Sequence, residues 1–261
     1  MTRPATFGVL LLGLAVATAC GRGLPPFVLP AGAGMPAAEA HQAWTAARID
    51  CGRARTFSSE LRLSGRIGAD RRRATVHVGL TDAGQIRLEV PAPFGRPVFT
   101  LAGTETRATL VTRDNHVLVA PAQDIVEALT GLSLGPRALL AVLTGCGAFS
   151  DRTFGGARYQ EILALNISDT SRLYFRAVDS GWQVAAVTLP DLLIDYGARA
   201  PGTWPDRLRA TSTGAQVLRV ELTITQRQAI ANEPFPEGAF TLTPPANAVP
   251  LTLDELRRGR P

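Results

Sequence analysis

Apolar and polar residues alternate with a period of two in three stretches of the first half of the chain. The stretches cover residues 60–67, 73–80 and 86–90. Strict alternation is typical of antiparallel strands with one apolar and one solvated face. Turn-forming residues separate them at 68–70 and 82–84. Shorter stretches predict strands at 98–102, 108–112 and 117–119, and later at 173–177, 182–184, 192–196, around 208, and at 218–224.

Helical patterns interrupt the strands. An alanine-rich segment predicts a first helix over 37–49, and an apolar stripe predicts helices over 124–129 and 136–145. Gly131 suits the end of one helix and Pro136 the first turn of the next. Residues 251–258 are consistent with a last short helical segment. The order favours an α+β fold: a curved antiparallel sheet forming an incomplete β-barrel, with its apolar concave face covered by helices.

The N-terminus has the layout of a secretion signal. A basic Arg3 precedes an apolar run over 7–16 and small residues, and Cys20 follows. This resembles a lipoprotein signal, whose cysteine is acylated. We predict a signal peptide over 1–19, an acylated Cys20 with a flexible tether over 20–36, and a single lipid-binding domain over 37–261. An ordinary cleaved signal with an incidental Cys20 is the alternative.

The secretion signal would place the chain's three cysteines in an oxidising compartment. If Cys20 carries lipid, Cys51 and Cys146 remain as a pair, each after a helix-like segment. We predict that they form a disulfide. Two buried thiols are the alternative.

Composition narrows the function classes. Hydrophobic residues make up 46% of the chain, enough for a core, and the net charge of +5 comes almost entirely from arginine. The arginines are scattered apart from the run 71–73, which argues against a nucleic-acid groove. A surface facing anionic lipid is compatible with this charge, but a solvated outer face is the simpler interpretation.

Catalytic and metal-binding motifs are lacking in the sequence. The three histidines are far apart, and no phosphate-binding or nucleophile motif occurs. Asp191 and Asp195 could form a carboxylate pair, but a polar strand face is the ordinary explanation for them. We therefore expect no enzyme activity, no cofactor and no metal.

The apolar strand faces would line a concave surface suited to acyl chains, which gain about 0.8 kcal/mol per CH₂ buried. A fully packed core without a cavity is the alternative. The expected lining residues are Leu61, Leu63, Val76, Val78, Leu88, Val90, Leu173 and Leu222, with Ile125, Leu129, Leu139 and Leu143 on covering helices that would act as a lid.

One strand–loop–strand stretch over 87–101 resembles the LolB family of outer-membrane lipoproteins, which receive lipoproteins from the carrier LolA. Its loop Pro93-Phe94-Gly95 is similar to the family's Pro-Leu-Gly loop, with Phe94 in place of the leucine. The Leu-Thr-Gly junction at 129–131, Trp204 to Arg209 and Gln216 to Val220 are also similar to family segments. The likeness spans residues 38–225.

The resemblance implies a monomeric, lipid-anchored outer-membrane acceptor whose domain lies in the periplasm. It would bind acyl chains of lipoproteins, palmitate among them, receive them from a LolA-like chaperone, and insert them into the bilayer. Residues 93–95 would be the membrane-insertion loop, unless Phe94 folds back beneath it. The alternatives are a carrier or sensor of another lipid or glycolipid, a structural envelope lipoprotein with a dry core, and an envelope hydrolase.

Overall fold

A computed structural model describes residues 26–147, 153–179, 181–200, 202–214 and 219–259, apart from the side chains of residues 50 and 51. These residues form one open sheet of fifteen strands and four helices. The sheet order is β1-β8-β9-β10-β11-β12-β13-β14-β2-β3-β4-β5-β6-β7-β15. The predicted α+β fold with an incomplete barrel is confirmed.

The first half of the chain builds one side of the sheet. After a two-residue strand and the first helix, six strands follow as a meander. Their bounds are β1 Met35–Pro36, α1 Glu39–Cys51, β2 Thr56–Ile67, β3 Asp70–Thr81, β4 Gln85–Val90, β5 Phe99–Thr104, β6 Ala108–Thr112 and β7 His116–Ala120.

Two helices lead into the second side, a further meander that closes back onto β2. The bounds are α2 Ala122–Thr130, α3 Pro136–Leu143, β8 Gly156–Tyr159, β9 Ile162–Asn166, β10 Arg172–Val178, β11 Gly181–Leu189, β12 Leu192–Tyr196, β13 Arg207–Ser212, β14 Val220–Ala231, β15 Val249–Pro250 and α4 Leu253–Arg257.

The strand pairings define two ends of the sheet. Because neighbours in the meander are antiparallel, the connections β2–β3, β4–β5 and β6–β7 lie at one end, which we call the upper end. The connections β3–β4 and β5–β6 lie at the opposite, lower end. α2 starts at the lower end, where the Ala122 amide donates to the Glu105 carbonyl at 3.1 Å.

The inner face of the sheet carries the apolar side chains of the alternating pattern. In one transverse row, Phe57 lies opposite Leu80, which lies opposite Ile86, and all three are fully buried. α3 packs against β3 and α2 against β6, while α1 packs against β8, β9 and β11. These contacts place all three helices over the apolar face and unite sheet and helices in one hydrophobic core.

The segment before α1 packs on the opposite, outer face. The Phe27 ring contacts Tyr174 of β10 with centroids 5.4 Å apart, and the Tyr159 hydroxyl donates to the Ala33 carbonyl at 3.0 Å. Met35 and Pro36 then pair with β8. The predicted tether is therefore corrected in its second part: residues 27–36 follow the sheet, because Phe27 has an apolar cluster to cover there.

The chain after β14 also crosses the outer face. Phe235 lies over Gly79, so closely that a Cβ at this glycine would approach the ring to 2.9 Å. Arg87 then donates to the Ala239 carbonyl at 2.9 Å. Beyond, β15 pairs in parallel with β7, and α4 follows with a Thr252–Glu255 capping box. This segment carries the chain from β14 across β3 and β4 to the β7 edge.

Sequence and structure differ in three places. α1 lies two residues further along than predicted. β8 and β9 were not predicted, because the alternation over 156–166 is short and weak. The parallel β7–β15 pair departs from the purely antiparallel expectation, since the tail approaches the edge strand from the outer face.

Candidate functional site

The residues predicted to line an acyl-chain site all lie in the helix-covered core or against it. They fall into two classes by exposure. Those buried in the core are Leu61, Val76, Val78, Ile125, Leu143, Leu173 and Leu222; those half-buried and packed against it are Leu63, Leu88, Val90, Leu129 and Leu139.

Burial on the inner face decreases toward the upper end. The lower row of Phe57, Leu80 and Ile86 is fully buried. At the upper end, Leu63 lies opposite Ala74 and Val90 opposite Phe99, and all four are half-buried. We call these four residues the open end. The apolar inner face is thus fully buried at the lower row and partly exposed at the open end.

Phe99 and Ala74 belong to the open end although they were not among the predicted lining residues. Both were detectable in principle. Phe99 is in phase with the buried Leu101, and Ala74 is in phase with Val76 and Val78. The sequence does not give the strand register, which places Ala74 opposite Leu63 and Phe99 opposite Val90.

The two predicted lid helices form, but α2 begins two residues before its predicted start and α3 ends two residues before its predicted end. Gly131 ends α2 in the left-handed conformation at φ 73°, and Pro136 occupies the first turn of α3. α3 is held at its far end, because the buried Gln226 side chain donates to the Leu143 carbonyl at 2.7 Å and the Pro205 carbonyl at 2.6 Å. Leu129 and Leu139 provide the partly exposed apolar surface of this pair.

Phe94 projects from the β4–β5 loop at the upper end and is 91% exposed. Gly95 next to it has φ 76° with open space around it, so the turn presents the ring outward. This excludes the alternative in which Phe94 folds beneath the loop. Exposure of a phenylalanine at a loop tip is costly in water and favourable at a lipid headgroup boundary.

A cleft of about 200 Å³ lies beside this loop on the outer face. It runs between the upper parts of β5 and β6 and the C-terminal segment. Its lining is Arg96, Pro97, Thr100, Val111, Thr112, Leu242, Thr243 and Pro245. The cleft is not visible in the sequence, because its two walls are more than a hundred residues apart in the chain.

The two aspartates that could have formed a carboxylate pair have separate roles. Asp195 is buried and makes a two-pronged ion pair with Arg209, with both N–O distances at 3.1 Å. Asp191 is exposed in the β11–β12 turn at φ 58°. Because Asp195 and Arg209 face each other across β12 and β13, their ion pair joins the two strands and gives Asp195 a structural role.

Several predicted features lie outside the residues that the structure describes. These are the signal over 1–19, the acylated Cys20, and the side chain of Cys51. Cys146 is buried and disulfide-bonded. Its pairing with Cys51 stays a prediction.

Within the described residues, no group of three or more histidine, cysteine, aspartate or glutamate side chains could hold a metal ion. In the same part of the chain, no helix has both the length and the apolar character needed to cross a bilayer.

No protein-family model matches this chain, and no curated protein sequence does either. Solved structures similar to it include a DUF1329 family protein from Desulfovibrio piger, with a TM-score of 0.48, 8% identity, and coverage of 79% of this chain and 97% of that one. The lipoprotein LppX of Mycobacterium tuberculosis has a TM-score of 0.32 and 12% identity, with coverage of 77% and 99%. A LolA superfamily protein, NE2245 of Nitrosomonas europaea, has a TM-score of 0.45 and 9% identity, with coverage of 75% of this chain and 97% of that one.

Proposed function

We propose that this protein is a LolB-like acceptor that holds acyl chains of lipoproteins on its inner face and inserts them into the outer membrane. One observation carries the proposal. The end at which the apolar inner face is partly exposed, marked by Leu63 and Val90, is the end at which Phe94 projects into solvent. An apolar surface and an exposed aromatic at one end of a sheet suit a ligand that passes between protein and bilayer.

Acyl chains match the chemistry of the open end. The side chains there are aliphatic or aromatic and present no hydrogen-bonding group to a ligand. Each buried CH₂ contributes about 0.8 kcal/mol, so a longer acyl chain binds more tightly than a shorter one. Outward movement of α2 and α3, which carry the half-buried Leu129 and Leu139, would enlarge this surface.

The anchor and the donor complete the proposal. Cys20, acylated, would keep the domain at the membrane, and a LolA-like carrier would deliver the cargo. Transfer needs no cofactor or energy source if each acceptor binds the acyl chains more tightly than the donor before it.

Uptake is tested with a fluorescent fatty acid and the purified domain. We expect Leu63→Asp to abolish uptake with unchanged circular dichroism, because it places a charge at the open end. Val119→Asp is the matched control, since Val119 is an exposed strand valine outside the open end. No uptake by the unaltered domain would support the dry-core alternative and refute the proposal. Native mass spectrometry of lipid retained from the native envelope would distinguish a lipoprotein acceptor from a carrier of another lipid.

Delivery is tested with Phe94→Glu in a vesicle transfer assay. We expect cargo to be bound normally but released to vesicles more slowly, because the loop can no longer enter the headgroup region. Ile49→Glu is the control, because Ile49 is also an exposed apolar residue but lies near the end of α1, which leads to the lower end. Normal delivery by the Phe94 variant would remove the loop from the mechanism.

A further inference from the structure

The upper part of the β2–β3 hairpin is strongly basic. Arg66, Arg71, Arg72 and Arg73 are all exposed within it. β4 pairs with β3 only from His77 to Leu80, so the start of β3 extends past the end of β4. The arginines therefore stand on a ribbon of β2 and β3 at the upper end, which extends past β4 on one side and is flanked by β14 as far as Ile67 on the other.

Charges on this ribbon are poorly neutralised within the protein. Arg66 lies directly opposite Arg71, a like-charge pair that destabilises a hairpin. Asp70 pairs with Arg72 at 2.7 Å, and Glu221 of β14 lies opposite Arg66. Among the described residues, Arg66, Arg71 and Arg73 make no ion pair with any carboxylate within 4 Å. An external anion between these side chains would reduce the repulsion.

Other exposed arginines surround the same end. Arg96 follows Phe94 in the β4–β5 loop, Arg113 lies in the β6–β7 turn, and Arg219 is held beside the hairpin turn, where its carbonyl accepts from the Gly68 amide at 2.7 Å. We call the hairpin arginines 66 and 71–73, together with Arg96, Arg113 and Arg219, the basic edge. It places an exposed phenylalanine among cations.

The lower end differs in its charge balance. Asp82 in the β3–β4 turn pairs with Arg55 at 2.7 Å, and Glu105 in the β5–β6 turn lies 3.7 Å from Arg137. The turn carboxylates Asp82 and Glu105 are thus each matched by an arginine, whereas the four hairpin arginines of the upper end have only Asp70 and Glu221 as carboxylate neighbours on the paired strands.

We propose that the basic edge docks this domain on a bilayer surface that carries anionic lipid headgroups, with Phe94 entering the interface between them. Cations that attract phosphate groups, around one apolar side chain that inserts, are the pattern of a peripheral membrane contact. An acidic protein surface would match the arginines but would leave Phe94 exposed. Docking on this edge sets the strands upright on the membrane and turns the open end toward it.

The contribution of the arginines to membrane partitioning can be estimated from the electrostatic potential of the anionic headgroups. Each basic residue near an anionic surface contributes about 1 kcal/mol, a factor of about five in partitioning. The contribution falls off within a Debye length, about 8 Å at physiological salt. Removal of two arginines from the ribbon should therefore lower partitioning about twenty-five-fold, and charge reversal should lower it further.

The test is vesicle flotation of the full mature protein without its acyl group, obtained by replacing Cys20 with serine. Vesicles contain phosphatidylcholine alone or phosphatidylcholine mixed with phosphatidylglycerol. We expect binding to the mixed vesicles that weakens at high salt. Arg71→Glu with Arg73→Glu should abolish it. Arg107→Glu is the matched control, an exposed arginine in the lower β5–β6 turn, and should bind normally.

Equal binding to both vesicle types, or equal loss in the Arg107 control, would overturn the proposal. So would displacement by inorganic phosphate at constant ionic strength, which would indicate a site for the free anion. Acyl-chain uptake, measured without vesicles, is a separate readout. A domain that binds no fatty acid but floats with anionic vesicles would contradict the proposed function and leave docking intact.

Discussion

Removal of the Asp195 carboxylate should be among the most damaging single changes outside the apolar core. The side chain of Asp195 is 3% exposed and that of Arg209 is 15% exposed, and two N–O contacts at 3.1 Å join them. Arg176 lies near enough for Asp195 to act on it: burial lowers the pKa of the Arg176 guanidinium, and the carboxylate opposes that shift. Asp195→Ala would therefore leave two buried or half-buried guanidinium groups without their shared anion.

The expected cost follows from this burial. Breaking a buried pair by removing one partner costs about 3–5 kcal/mol, because the other charge remains desolvated. For a domain of this size, that corresponds to a fall in Tm of about 6–20 °C. Urea unfolding followed by circular dichroism measures the free energy directly.

A second variant separates loss of the pair from loss of packing. Asp195→Val combined with Arg209→Met replaces both charges by apolar groups of similar reach. It should cost much less than Asp195→Ala alone, because no unpaired charge is created at Arg209. Two results would show that the ion pair does not stabilise β12 against β13. One is a cost of less than about 1 kcal/mol for Asp195→Ala. The other is a cost for the double variant equal to the summed costs of Asp195→Val and Arg209→Met measured singly.

Three further predictions address other elements. Burial raises the pKa of the Tyr196 phenol, so above about pH 10 the native protein keeps a proton that the unfolded chain releases. The free energy of unfolding should therefore fall as the pH rises above about 10. Ultraviolet absorbance should show Tyr196 ionising only when the protein unfolds. Peptide mapping without reductant should recover Cys51 linked to Cys146, and its reduction should cost about 2–5 kcal/mol; a Cys146 peptide linked elsewhere would refute the pairing. Thr252→Ala removes the side chain that accepts from the Glu255 amide at 3.2 Å and should cost about 1 kcal/mol in chemical denaturation, whereas Thr252→Ser should cost little.

Sequence periodicity predicted the strands with clear alternation and failed where alternation was brief. β2, β3 and β4 alternate over six or more residues, and their predicted inner residues are inside. β8 and β9 have the sequences Gly-Ala-Arg-Tyr and Ile-Leu-Ala-Leu-Asn, in which apolar and polar residues do not alternate. The first-turn proline of α3 and the left-handed glycine after α2 were predictable because both are local requirements of the backbone.

Long-range features were beyond sequence reasoning for a physical reason. The basic edge depends on which turns share one end of the sheet, and that depends on register. The cleft beside Arg96 depends on where the C-terminal segment crosses β5 and β6. Even the role of Asp195 required its neighbour across the strand pair, since Arg209 is far from it in sequence but directly opposite in register.

The course of the N-terminal segment limits where the domain can stand relative to the proposed lipid at Cys20. A free tether over 20–36 would reach about 60 Å when extended, enough for the domain to turn in any direction. Because Phe27 already packs on Tyr174, only the residues ahead of it can span the gap, about 25 Å at most. Tyr174 lies in β10 two residues from its upper terminus, since Arg172 pairs with Thr188 next to the β11–β12 turn. A short N-terminal connection that starts toward the upper end favours an orientation with this end facing the membrane. The basic edge and Phe94 favour the same orientation independently. Acylation of Cys20 and docking of the basic edge would then reinforce each other, because either contact holds the domain near the bilayer and so raises the effective concentration for the other contact.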